Sequence, residues 1–89
     1  METAAGPLRR DVRGIPLWLL REYLVEIGGQ AGQDGWVRGP GWQARLEQME
    51  DFRLGSLAVG QVRIEIGGEA AALAAVAPLL DKKLVRAGG

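Results

Sequence analysis

The sequence predicts an α+β fold, a two-layer sandwich in which a curved antiparallel sheet of three to five strands carries two helices on one face. Three observations predict it. Apolar residues recur every three or four positions from Leu17 to Ile27, alternate with polar ones from Trp42 to Ile66, and return to the helical period from Leu73 to Leu84. Elements with one apolar side each pack most economically as two layers. The order along the chain is β-α-β-β-β-α. Residues 1–7 are expected to be a flexible N-terminus and 8–89 one domain, as suits a length of 89 residues.

The first strand is read at Leu8–Ile15. Leu8, Arg10 and Val12 share one side of an extended chain, and Arg9, Asp11 and Arg13 the other. Such charges protect a sheet edge from unwanted pairing; the other reading is a basic arm for an acidic partner. Pro16 suits the first helical position, where its missing N–H is not needed. Leu17, Leu20, Leu24 and Ile27 then form a stripe opposite Arg21, Glu22 and Glu26, and Gly28-Gly29 ends the helix. Trp18 and Tyr23 fall on the flanks of the stripe, where aromatic rings cover the rim of a core.

Between Gln30 and Gly41, glycines at 32, 35, 39 and 41 and Pro40 predict turns around a short extended piece at Trp36–Arg38. No phosphate-cradling or dinucleotide-binding glycine pattern is present there. From Trp42, Ala44 and Leu46 the apolar side alternates with Gln43, Arg45 and Glu47. Phe52 and Leu54 resume the apolar side after the polar stretch Gln48–Asp51, where a bulge or turn is expected. Gly55-Ser56 suits a two-residue type II′ hairpin turn. Leu57 and Val59 are odd-numbered, whereas Val62, Ile64 and Ile66 are even, so one face requires an extra residue. Gly60, at the switch, marks an expected β-bulge. Gln61, Arg63 and Glu65 are placed to pair across the strands with Gln43, Arg45 and Glu47.

Gly67-Gly68 breaks the strand, and Glu69 opens the second helix with a favourable charge at its positive end. Leu73, Val76, Leu80 and Leu84 form its stripe, with Ala77 beside them. Pro78 is expected to kink the helix or restart it.

Composition narrows the function. The chain has no His, no Cys, one Ser and one Thr. It therefore lacks the pairs that activate nucleophiles and the usual proton carrier near neutrality. An enzyme is not expected. Neither is a cofactor, and any metal site would have to use carboxylates. A carboxylate-dependent enzyme would draw on Glu47, Glu50, Asp51 or Glu65, residues that read first as a solvated face. Eleven basic and eleven acidic residues cancel, which argues against nucleic acid as a partner. No apolar run spans a bilayer, and 1–7 lacks the pattern of a secretion signal, so no membrane partner and a cytoplasmic location are expected. Nine arginines against two lysines, without Asn or Cys, lean towards heat stability.

Two functional readings follow. The principal one is a non-enzymatic binding or assembly module, its partner a second copy or another protein. Three tryptophans exceed what so small a core readily hides. Trp36 with Arg38 is the expected contact, and Trp42 is a further candidate that also reads as core. The alternative rests on Val85-Arg86-Ala87-Gly88-Gly89. A Gly-Gly tail is the feature by which ubiquitin-like sulfur and protein carriers present their carboxylate to an activating enzyme. Those carriers fold as a hairpin, a helix and further strands, with the tail leaving a strand, whereas here Gly88 and Gly89 follow helical residues and also read as a helix cap.

Taken together, GIPLWLLREYLVEIGG, GWQARLEQ, GSLAVGQVRIEIGG and KKLVRAGG resemble a small uncharacterised family, a domain of unknown function, of Thermus-type thermophilic bacteria. The resemblance covers residues 12–89. It implies a thermophilic, cytoplasmic source and carries over no active residues.

Overall fold

The computed structural model describes residues 8–88, with side chains through Val85. The expected flexible stretch 1–7 and Gly89 lie outside the described residues. The chain runs β1 (Leu8–Arg13), α1 (Leu17–Glu26), β2 (Gln30–Ala31), β3 (Trp36–Gly39), β4 (Trp42–Leu54), β5 (Leu57–Gly68) and α2 (Ala70–Gly88). The expected order holds, with the two-residue β2 added. All pairings are antiparallel, and the sheet order is β1-β5-β4-β3-β2.

Alternation divides the sheet into two faces. The inner face carries Val12, Val37, Trp42, Ala44, Val62, Ile64 and Ile66, all buried. Leu20 and Leu24 of α1, Leu73, Val76 and Leu80 of α2, and Ile15 close the core over them. Helix α1 lies against β2, β3 and β4, and α2 against β1 and β5. Leu20, Leu24 and Leu80 are wholly hidden, each contributing about 1.5–3 kcal/mol by leaving water.

Pro16 stands one position earlier than expected. It is the N-cap residue, extended at φ −68° and ψ 151°, and its carbonyl accepts from the N–H groups of Leu19 and Leu20. At the other end Gly28 takes φ +118°, a region costly for residues with a Cβ. Gly28 N–H then donates to Val25 and Gly29 N–H to Leu24, satisfying two end carbonyls in a Schellman arrangement.

Helix α2 neither breaks nor restarts at Pro78 but continues to Gly88. Proline leaves the carbonyl of Ala74 without its helical donor. Ala74 is exposed, so water can serve that oxygen, and its methyl leaves room for the ring.

The β4–β5 hairpin departs from the expected pattern. Leu54 faces Leu57 across the two-residue turn Gly55-Ser56, and Gly55 has φ +63°. The register shifts between Met49, opposite Gln61, and Phe52, opposite Val59. Glu50 and Asp51 therefore oppose Gly60 alone. The bulge expected around Gln48–Asp51 is present, and its extra residue lies in β4, with Gly60 opposite it in β5. Because β5 carries no insertion, Leu57 and Val59 stay on the outer, polar face, and the bulge turns Phe52 and Leu54 outward to join them. These residues do not return to the core side, as parity in β4 alone implied.

Candidate interaction surfaces

Trp42 is withdrawn from any surface. It is buried at 5 % exposure, and a Cβ at either Gly29 or Gly39 would collide with its indole. Glycine at both positions leaves the room the ring occupies.

Trp36 stands half-buried on the outer face, opposite Arg45. The Arg38 guanidinium lies 5.8 Å from its ring centre and donates to Asp34 Oδ2 at 2.9 Å. Asp34 Oδ1 accepts from the Trp36 backbone N–H at 3.1 Å. The Arg38 hydrogen bond first, and the Trp36 N–H second, hold the Asp34 carboxyl below its usual range. Trp36 and Arg38 thus form one ordered unit, which Trp42 does not join.

The most exposed tryptophan is Trp18, at 62 %, and residue-type reasoning placed it on the rim of the core. The helical wheel carried the missing signal: at 100° per residue, Trp18 falls roughly 140° from the centre of the stripe Leu17, Leu20, Leu24 and Ile27. A second exposed apolar group lies at the end of the β4–β5 hairpin. Leu54 and Leu57 are 68 % and 62 % exposed, with Phe52 and Val59 behind them. The Arg13 guanidinium sits 3.6 Å above the Phe52 ring while donating to Gln61 Oε1 at 3.0 Å.

Charges on the outer face alternate. Arg45 pairs in register with Glu65, and Glu47 with Arg63, as expected. The contact made is Arg63 Nε to Asp11 Oδ1 at 2.9 Å. This hydrogen bond lowers the pKa of Asp11, helped by the charges of Arg63, Arg9 and Arg13, and it raises that of Arg63. Glu47 and Glu65 each stand opposite an arginine, and Glu50 and Asp51 sit in the bulge. Among the described residues no three acidic, His or Cys groups gather where a metal could be held.

Gly88 is the last residue of α2, and Gly89 lies outside the described residues. Two ion pairs hold α2 before that end, Arg10–Asp81 at 2.9 Å and Lys83–Glu26. Leu84 is the last described side chain packed on the core; Val85 is 74 % exposed. No helix of the described residues is long and apolar enough to cross a membrane.

Residues 8–89 match the family described as archaeal MoaD-like protein. This corrects the expected kinship in part, since the matching family is small but described as archaeal, not as a group of Thermus-type bacteria. No curated protein matches the chain.

Proposed function

We propose, from the membership of this chain in the archaeal MoaD-like protein family, that it is a sulfur carrier whose reactive group is the carboxylate of Gly89. The observation that carries the reading is the family match, whose span includes Gly88 and Gly89. The chain acts as cargo-bearer and not as catalyst. Having neither His nor Cys, it supplies a carboxylate, and an activating enzyme supplies the chemistry. The carboxylate attacks the α-phosphorus of ATP and releases pyrophosphate. A sulfide equivalent then adds to the acyl carbon and displaces AMP, leaving a thiocarboxylate. A cytoplasmic location, where ATP is plentiful, goes with this reading.

The sheet is antiparallel throughout and the tail follows a helix, so the hairpin–helix–strand order of the carriers, with its tail leaving a strand, is not the order here. Presentation of Gly89 therefore requires the end of α2 to unwind. Two features favour this. Helix ends lack partners for their last carbonyls, and glycine in a helix costs about 1 kcal/mol relative to alanine. Beyond Leu84 the last described side chain, Val85, adds little packing to hold the turn.

Pyrophosphate exchange into ATP tests the proposal, using the activating enzyme of the same cell and the full chain as substrate. Exchange that depends on the chain and is lost on deleting Gly88 and Gly89 is expected. Equal exchange with and without those two residues would contradict it.

A further inference from the structure

Both helices lie on the inner side of the sheet, and no described element covers the outer face. The charges there are ordered. By register, Arg9, Glu65 and Arg45 form one row across β1, β5 and β4, and Asp11, Arg63 and Glu47 form the next. Signs alternate along each row and between the rows.

This pattern selects one way for the face to meet its own copy. A two-fold axis running along β5 would stack Arg9 on Arg45 and Arg63 on Arg63, like on like. An axis running across the strands, between the two rows, stacks Arg9 on Asp11, Glu65 on Arg63 and Arg45 on Glu47, each twice. Every pair is then of opposite sign.

We infer that the outer sheet face is the contact surface between two copies of this chain. The copies are related by that axis, with opposite charge rows in the middle. Strands β4 and β5 have 13 and 12 residues and β1 and β3 have 6 and 4; at about 3.3 Å per residue and 4.8 Å spacing they cover on the order of 550 Å² per copy, the size of a small interface. Two twisted sheets pack face to face with strands about 30° apart, which shifts the charge rows beside the axis by only about 2 Å and so leaves their stacking intact. The inference is independent of the carrier reading, because α2 belongs to the other layer.

Sedimentation equilibrium on the full chain tests it, with circular dichroism to check folding. The wild type is expected to be a dimer. Arg45→Glu sets two acidic groups against each other at two places and is expected to weaken the dimer by about tenfold or more. Adding Glu47→Arg restores opposite signs between copies, although within one copy both swapped side chains then face like charges. Recovery of the dimer in that double variant is therefore expected only for the intermolecular pairing. A wild type that is monomeric up to about 100 µM, a dimer indifferent to Arg45→Glu, or a double variant weaker than the single one would each overturn the inference.

Discussion

Arg10 of β1 and Asp81 of α2, 71 positions apart in sequence, are joined by two hydrogen bonds of 2.9 and 3.0 Å. They tie the last helix to the edge strand on the core side of the sheet. The Arg10 hydrogen bond is the main reason the Asp81 carboxyl titrates below its ordinary range.

That lowering fixes the direction of a pH effect. A carboxyl with a depressed pKa in the fold adds stability above its unfolded value, near 3.9, and loses it as pH falls through the folded value. Both partners are partly exposed, so the pair contributes about 0.5–1 kcal/mol. Asp81→Asn should be less stable than wild type by that amount at pH 7 in urea titrations. The difference should narrow as the pH falls below the unfolded value and through the lowered folded one.

Gly39→Ala tests the close packing of Trp42. The added methyl meets the indole, and overpacking of this kind costs about 1–3 kcal/mol. Pairing it with Trp42→Leu should produce a sum of losses larger than the double variant shows, because the smaller side chain vacates the space. Additive losses in a denaturation cycle would count against the contact.

The tryptophans should separate cleanly in stability measurements. Trp42→Ala empties the core and is expected to cost about 3–5 kcal/mol. Trp18→Ala, at a solvent-facing helical position, should change stability by no more than about 0.5 kcal/mol.

Pro78→Ala restores an N–H donor to the carbonyl of Ala74 inside a helix that is already continuous. Proline in a helix interior costs about 3 kcal/mol relative to alanine. Thermal unfolding should show the variant at least about 1 kcal/mol more stable than wild type.

Much of this fold was legible because each period had one interpretation. The stripes Leu17–Ile27 and Leu73–Leu84 could only face a core, and Gly28 and Gly55 take the positive φ their turns require. The hairpin end was misread for a physical reason. A bulge was expected near Gln48–Asp51 and another at Gly60, but only the β4 strand carries the extra residue. One insertion reverses every side chain beyond it, which sends Phe52 and Leu54 outward. At Pro78 the missing donor predicts a kink, and the exposure of Ala74 is what offsets it. At Trp18 the residue type predicts the rim of the core, and the angle on the helix turns the ring to solvent. Of the candidate residues, Trp36 and Arg38 do come together, while the burial of Trp42 depends on Gly29 and Gly39 from two other segments. The Gly88-Gly89 pair was visible, but a helix cap and a reactive tail have the same sequence.

If Gly89 carries sulfur, as proposed, the intact mass of the chain reveals it. The chain would be incubated with ATP, a sulfur donor and the activating enzyme of its own cell. A product is expected in which one carboxylate oxygen has been exchanged for sulfur, with the change confined to the C-terminal peptide. An unchanged mass, under conditions in which an authentic carrier is converted by its own activating enzyme, would contradict it.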